Sequence, residues 1–142
     1  MKKKTVILIA DDDSDDCYLI RLAFEDCKID NPILFFKNGL ELVDYINTHE
    51  KSIEEQPIGL IILDLNMPKM DGRETLGNLK SNPFWRRVPV VVMTTSKSDE
   101  DINTCYDLGA NSYITKPSTY DGLNDTVRTI GKLWLDYANL PS

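Results

Sequence analysis

Five short segments of the chain favour β-strands, and segments with helical spacing of apolar residues separate them. The third strand segment, residues 60–63, is an unbroken Leu-Ile-Ile-Leu run, which is typical of a strand buried on both faces of a parallel sheet. The strand segments are residues 5–10, 33–36, 60–63, 90–93 and 112–115. Because strand and helix patterns alternate about five times, we predict an α/β fold, a doubly wound five-stranded parallel sheet with helices on both faces.

Helix boundaries and loops are marked by capping residues, glycines and prolines. Ser14 or Asp13 can cap the first helix, whose first turn carries two further acids. Ser98 and Asp101 form a capping-box pattern before the fourth helix. In the last helix, an apolar stripe at helical spacing predicts core packing; it comprises Leu123, Val127, Ile130 and Trp134. Residues 49–57 and 81–89 read as loops.

Composition excludes several functional classes. The 142 residues suit one domain, and the formal net charge of −7 argues against a nucleic-acid binder. No apolar stretch approaches the roughly 20 residues that span a bilayer, and no signal peptide is evident. We therefore expect a cytoplasmic protein that does not bind membranes. Three widely spaced cysteines fit reduced thiols, and the single histidine, His49, leaves no basis for a nucleophilic triad.

The polar residues that are suited to catalysis or metal binding all follow predicted strands. Asp11, Asp12 and Asp13 follow the first strand and Asp64 follows the third. Because the carboxyl ends of parallel strands share one edge of a sheet, these carboxylates are expected to converge. Clustered carboxylates do not all stay ionised without a cation among them. Oxygen ligands of this kind suit Mg²⁺, which also keeps water positions that a phosphate can take.

A carboxylate held beside a divalent metal and an ammonium group is equipped to accept a phosphoryl group. Asp64 would attack in line, while the metal and Lys116, after the fifth strand, balance charge on the transferring oxygens. The hydroxyl of Thr94, after the fourth strand, would bond the new phosphoryl oxygen. Each residue also has a purely structural interpretation. Asp64 can cap the loop, Thr94 can be an ordinary strand residue, and Lys116 can be an ordinary loop residue before Pro117. Asp13 and Asp71 read more simply as helix or turn caps, and Tyr113 as a half-buried strand aromatic.

Over almost its full length, the chain resembles a two-component response-regulator receiver domain. The resemblance rests on the acidic pair Asp11-Asp12, on Thr94, on Lys116-Pro117 and on the signature around the third strand. That signature reads Leu63-Asp64-Leu65-Asn66-Met67-Pro68-Lys69-Met70-Asp71-Gly72. The resemblance implies a flavodoxin-like strand order 2-1-3-4-5. It also implies that the chain is not an enzyme beyond promoting its own phosphoryl transfer and dephosphorylation.

The resemblance also assigns the site. Asp64 is the phosphoacceptor, assisted by Thr94 and Lys116. Mg²⁺ is held by Asp12, Asp64 and the main-chain carbonyl of Asn66, with Asp11 acting through water. Thr94 and Tyr113 are the switch residues. The family usually holds the bond between Lys116 and Pro117 in the cis form, which we expect here too.

Within that family, Thr94-Thr95-Ser96 and the tail at residues 134–142 resemble the small stand-alone regulators of bacterial phytochromes. The implied partners are a histidine kinase, which can be phytochrome-like, or a phosphotransfer protein, and a downstream protein target. Residues 1–142 read as a single receiver domain with no output domain. Leu133 and Tyr137 lie off the apolar stripe of the last helix and suggest a homodimer contact. Thr95, where many receivers have a small residue, could alter access to the site.

Three rival interpretations remain from the residues. Asp11, Asp13 and Asp15 imitate a calcium loop, but Asp16 replaces the required glycine and the closing glutamate is missing. An aspartate-nucleophile phosphatase of the haloacid-dehalogenase type would need a second acid where Asn66 stands. A receiver-like binding module that is never phosphorylated is the third alternative.

Overall fold

Five parallel strands form one sheet in the order β2-β1-β3-β4-β5. The computed structural model describes residues 4–49 and 57–139. The strands are β1 (Val6–Ala10), β2 (Ile33–Phe36), β3 (Ile58–Leu63), β4 (Val90–Thr94) and β5 (Ser112–Thr115). The helices are α1 (Ser14–Asp26), α2 (Gly39–His49), α3 (Gly72–Ser81), α4 (Asp99–Asp107) and α5 (Tyr120–Ile130). The predicted fold class and strand order are confirmed.

Alternation along the strands divides the core between the two faces of the sheet. On β1, Leu8 packs with the apolar residues of α2, α3 and α4, whereas Ile7 and Ile9 pack with those of α1 and α5. Every residue of β1 is buried. A sheet covered on both faces needs apolar residues at successive positions, which explains the unbroken runs in the sequence.

Two acids near the predicted site are helix caps. The Asp13 side chain accepts hydrogen bonds from the backbone N–H groups of Asp15 and Asp16, so Asp13 rather than Ser14 caps α1. Asp71 Oδ1 accepts from the N–H of Glu74 at 3.0 Å and caps α3. Each cap satisfies donors that the first turn of a helix leaves free. The capping interpretation of both residues is therefore confirmed.

Close approach of backbone segments explains the glycine that opens α3. The N–H of Gly72 donates to the carbonyl of Leu65 at 2.8 Å. A Cβ on Gly72 would lie 2.1 Å from the Asp64 carbonyl oxygen and 2.6 Å from the Leu65 Cα. Backbone atoms cannot yield as a flexible side chain does, so only glycine fits here.

Gly72→Ala is therefore expected to lower the free energy of unfolding by about 1–3 kcal/mol, as overpacking does. Urea denaturation measures the change. Gly77→Ala in the same helix is the matched control, because its Cβ would meet only Leu108 Cδ2 at 3.9 Å. That control should gain about 0.5–1 kcal/mol from helix propensity. Equal effects of the two substitutions would contradict the close approach.

Two segments differ from the sequence-based prediction. The loop at residues 81–89 contains a short 3₁₀ turn, Trp85–Arg87, whose Trp85 is fully buried in the core on the α2–α4 side. The last helix continues beyond α5 as a π-helix, Gly131–Tyr137. Leu123, Val127 and Ile130 of the predicted stripe are buried, whereas Trp134 is half-buried against the same core.

The other general predictions have mixed outcomes. All three cysteines are free thiols, as predicted. Helix α2 extends to His49, and residues 50–56 of the predicted loop lie outside the described residues. Over residues 4–49 and 57–139, no helix has both the length and the apolar character needed to cross a membrane.

Candidate functional site

Backbone hydrogen bonds fix the residues that follow the strands. The N–H of Asp11 donates to the Phe36 carbonyl at 3.0 Å, and that of Asp64 donates to the Ala10 carbonyl at 3.0 Å. The N–H of Lys116 donates to the Thr94 carbonyl at 2.7 Å. These bonds extend the sheet ladder one residue past the strand ends. Asp11, Asp64 and Lys116 are therefore held by the sheet itself rather than by loops.

Lys116 lies at the centre of the site and contacts three carboxylates. Its Nζ is 2.8 Å from Asp11 Oδ2, 2.7 Å from Asp16 Oδ2 and 3.0 Å from Asp64 Oδ2. An ammonium group has three protons to donate, and each carboxylate takes one. The Lys116 side chain is 13% exposed, and those of Asp11 and Asp64 are 3% and 8% exposed. Charge-assisted hydrogen bonds in such a buried setting are strong.

Asp16 is the member of this site that the sequence analysis missed. The sequence analysis gave it as an acid in the first turn of α1 and as a residue that argues against a calcium loop. Because Asp13 caps the helix, Asp16 falls on the third helical residue, one turn beyond Asp12. A helix that is capped by Asp13 begins beside the carboxyl ends of the strands, so its first turn lies next to the site. That reasoning would have identified Asp16 as a site residue.

Burial and charge shift the titration of the site. Burial raises the pKa of Asp11, and the hydrogen bond from Lys116 offsets only part of this rise. Burial alone would lower the pKa of Lys116, but hydrogen bonds to Asp11 and Asp16 outweigh it and raise that pKa. Lys116 is therefore a permanent cation at neutral pH. Burial, together with the charges of Asp11 and Asp16, raises the pKa of the nearby Cys17 thiol to about 11, so that thiol is not a nucleophile at neutral pH.

Three carboxylates at the site fit a divalent cation. Asp11, Asp12 and Asp64 each offer an oxygen, and these atoms lie within 4.8 Å of one another. Asp12 is exposed, whereas the other two are buried. Lys116 carries one positive charge, whereas Asp11, Asp12, Asp16 and Asp64 can carry four negative charges, so one ammonium group does not neutralise them. A hard cation with carboxylate ligands supplies the missing charge.

Asn66, the fourth predicted metal ligand, lies beside the acids. Its backbone N–H points at Asp64 Oδ1 at 3.5 Å, which places it on the same loop edge as the carboxylates. The role of its main-chain carbonyl stays a prediction.

The two predicted switch residues lie on neighbouring strands. Thr94 is completely buried, and its Oγ1 has no hydrogen-bond partner among the described residues. Tyr113 is half-buried against the core on the α2–α4 side, and its hydroxyl donates to the Ser96 carbonyl at 2.9 Å. A buried hydroxyl without a partner is uncommon in folded proteins. Thr95, between Thr94 and Ser96, is exposed.

The expected cis bond between Lys116 and Pro117 is not present. No peptide bond in the described part of the chain is cis, so this bond is trans. The trans form is the favoured one for X–Pro bonds, by about 0.5–1 kcal/mol. Lys116 Nζ reaches all three carboxylates from the trans backbone, so these contacts do not require the cis form.

Comparison with known proteins agrees with this geometry. Residues 7–128 match the sequence profile of the response regulator receiver domain. The chain belongs to that family. The receiver's acids and lysine thus occupy the carboxyl edge of the sheet, where the family resemblance placed them.

This receiver matches two regulatory proteins over most of their length. It is 35% identical over 137 residues to the response regulator Rcp1 of Synechocystis sp., covering 96% of this chain and 93% of Rcp1. It is 36% identical over 136 residues to FilR2 of Methanothrix harundinacea, a probable methanogenesis regulatory protein, covering 96% of this chain and 87% of FilR2.

Solved structures show the same fold. The Mn²⁺-bound form of Rcp1 has a TM-score of 0.84 at 36% identity, covering 97% of this chain and 99% of that one. The phosphorylated cyanobacterial phytochrome response regulator RcpA has a TM-score of 0.89 at 36% identity, covering 99% of this chain and 100% of that one. The similarity to phytochrome regulators, first suggested by the Thr94-Thr95-Ser96 segment and the tail, is confirmed.

Proposed function

We propose that this receiver accepts a phosphoryl group on Asp64 in a Mg²⁺-dependent reaction and thereby switches its surface. The observation that carries the proposal is the convergence of Lys116 Nζ with the carboxylates of Asp11, Asp12 and Asp64 at one edge of the sheet. The Mn²⁺-bound Rcp1 and phosphorylated RcpA structures support both parts of it by similarity.

The chain's own residues provide positioning and charge balance. A carboxylate oxygen of Asp64 attacks the phosphorus in line, and the bond from phosphorus to the donor's leaving atom breaks, leaving an acyl phosphate. Lys116, already bonded to Asp64, donates to the transferring oxygens as their charge develops. Asp11, Asp12, Asp64 and the Asn66 carbonyl would hold Mg²⁺, which would supply further positive charge at the site.

The switch follows from the unbonded hydroxyl of Thr94. Moving Thr94 Oγ1 toward the phosphoryl group gives it the hydrogen bond that it lacks in this structure. That movement shifts the β4–α4 segment, and Tyr113 then loses its anchor at the Ser96 carbonyl and can occupy the vacated space. Phosphorylation thus needs only to favour one of two existing arrangements.

Thr94→Val tests this role. Removing an unpartnered hydroxyl is expected to lower the free energy of unfolding by less than about 1 kcal/mol, or to raise it slightly. The phosphorylation-dependent shift of the Tyr113 NMR signals should disappear, because valine cannot bond the phosphoryl oxygen.

Thr75→Val is the matched control for Thr94→Val. Thr75 is equally buried, but its Oγ1 donates to the Asp71 carbonyl at 2.8 Å. Thr75→Val should therefore lower the free energy of unfolding by about 1 kcal/mol. The Tyr113 NMR signals should still shift on phosphorylation. A Thr94→Val protein with an unchanged Tyr113 response would contradict the switch.

Partners are proposed from the relatives and the surface. A histidine kinase, which the similarity to RcpA suggests is phytochrome-like, or a phosphotransfer protein would donate the phosphoryl group. We place the receiver in the cytoplasm as one domain spanning residues 1–142, with output through a downstream protein.

Leu133 and Tyr137, 47% and 76% exposed on the π-helix, are a proposed homodimer contact. A monomeric mass by light scattering, both with and without phosphorylation, would remove the dimer.

Incubation with acetyl phosphate and Mg²⁺, followed by intact mass spectrometry, tests the function. We expect a gain of one phosphoryl group that chelation of Mg²⁺ and Asp64→Asn each abolish. Absence of any gain would favour a binding-only receiver. Continuous turnover of phosphoesters would instead favour a phosphatase.

A further inference from the structure

An ion pair outside the phosphorylation site ties α3 to α4. Arg73, in the first turn of α3, donates from Nε and Nη2 to Asp101 Oδ1 at 3.1 and 2.5 Å. The two side chains are 31% and 20% exposed, so the pair is partly shielded from water. Hydrogen bonds from Ser96 and Arg73 lower the pKa of Asp101 and keep it ionised.

The second oxygen of Asp101 extends the ion pair to residues 94–96, which we call the switch segment. Asp101 Oδ2 accepts a hydrogen bond from Ser96 Oγ at 2.6 Å, and Ser96 lies two residues after Thr94. In the capping box that the sequence predicted, Asp101 would turn back to the N–H of Ser98. Here Ser96 Oγ accepts from that N–H at 3.3 Å instead, and the carboxylate is free to bind Arg73. Only the Ser98 half of the box forms.

The same residue, Ser96, anchors Tyr113. Its carbonyl accepts the Tyr113 hydroxyl, while its own hydroxyl is held by Asp101. Thr94 Oγ1 has no partner in this arrangement. A movement of Thr94 toward Asp64 would displace Ser96 and break its bond to Asp101. The contacts of Asp101 with Arg73 and Ser96 therefore oppose the movement that the phosphorylated state requires.

We propose that Arg73 and Asp101 are positioning residues that form a latch with Ser96 and hold the receiver in its unphosphorylated arrangement. This rests on the proposed function and adds a regulatory element to it. Arg73 follows the loop that carries Asp64, and Asp101 lies on the helix that follows Thr94, so the latch connects both sides of the site. Breaking the latch raises the population of the arrangement in which Thr94 lies closer to Asp64. Because that arrangement favours phosphorylation, the phosphorylation rate rises as well.

Phosphorylation kinetics of the full chain test the latch. With acetyl phosphate at low concentration and saturating Mg²⁺, Arg73→Gln and Asp101→Asn should each raise the second-order rate constant at least about fivefold. The double variant should be no faster than the faster single variant, because each single substitution already breaks the contact between Arg73 and Asp101. Arg73→Lys keeps the charge and should restore most of the slow rate. Arg128→Gln, which breaks the exposed pair with Asp125 on α5, is the control and should leave the rate unchanged.

Ser96→Ala provides a second route if a variant of the ion pair folds poorly. It leaves Arg73 and Asp101 paired but removes the hydroxyl that connects them to the switch segment, so it should also raise the rate. Unchanged or slower rates in Arg73→Gln and Ser96→Ala, or additive effects in the double variant, would overturn the latch. Failure of the parent protein to gain a phosphoryl group would instead overturn the proposed function, so the two failures are distinguishable.

Discussion

Lys116→Met is expected to slow phosphorylation of Asp64 at least about a hundredfold and to lower the free energy of unfolding by about 3 kcal/mol. The rate effect follows because Lys116 is the ammonium group that balances charge on the transferring oxygens, and loss of one such donor costs about 10²–10³ in rate. The stability effect follows because the substitution leaves Asp11 and Asp64 buried together without their shared partner. Breaking a buried ion pair costs about 3–5 kcal/mol, and partial exposure of Asp16 places this case at the lower end.

Urea denaturation and mass-detected phosphorylation measure the two effects. Mg²⁺ should stabilise Lys116→Met more than it stabilises the parent. Among the described residues, Lys116 is the one cation that pairs with Asp11 and Asp64, so the metal takes over its charge in the variant. Lys97→Met, at an exposed lysine just after the switch segment, is the control and should change neither quantity. A Lys116→Met protein with the parent's unfolding midpoint would show that the lysine does not compensate the acids.

Asp12→Asn is expected to weaken Mg²⁺ binding at least about tenfold while slightly raising stability in the absence of metal. Asp12 contributes one of three carboxylate oxygens to the cluster and is exposed, so the fold does not depend on it. Removing its charge weakens the attraction for the cation and relieves repulsion with Asp11 and Asp64. The gain in stability together with the loss of function is the trade-off expected where a site concentrates like charges.

Calorimetric titration with Mg²⁺ and urea denaturation in chelator measure the effects of Asp12→Asn. Asp15→Asn removes an exposed acid from the same segment without touching the cluster, and its Mg²⁺ affinity should match that of the parent. Equal losses of affinity in the two variants would mean that general charge, and not ligation, attracts the metal.

The sequence predicted the fold because local patterns and topology determine it. Unbroken apolar runs such as residues 60–63 require a sheet covered on both faces, and alternation with helices makes the strands parallel. Once the strands are parallel, Asp11, Asp64 and Lys116 converge without any knowledge of side-chain contacts. The family signature around Asp64 then supplied the roles.

The sequence did not predict contacts that depend on side-chain direction across long separations. Asp16 and Lys116 are 100 residues apart, and only the packed sheet edge brings them to 2.7 Å. The Arg73–Asp101 pair was hidden because the capping-box pattern offered Asp101 a local partner. Trp85 was missed because a three-residue 3₁₀ turn has too little periodicity to reveal a buried side chain.

Chemical mapping of the phosphoryl group tests the central claim most directly. Borohydride reduces an acyl phosphate on aspartate to homoserine, which peptide mass spectrometry locates in the chain. After treatment with acetyl phosphate and Mg²⁺, we predict homoserine at position 64 and nowhere else, and none when Mg²⁺ is chelated. Homoserine at position 11, 12 or 13, or at position 64 without Mg²⁺, would contradict the account.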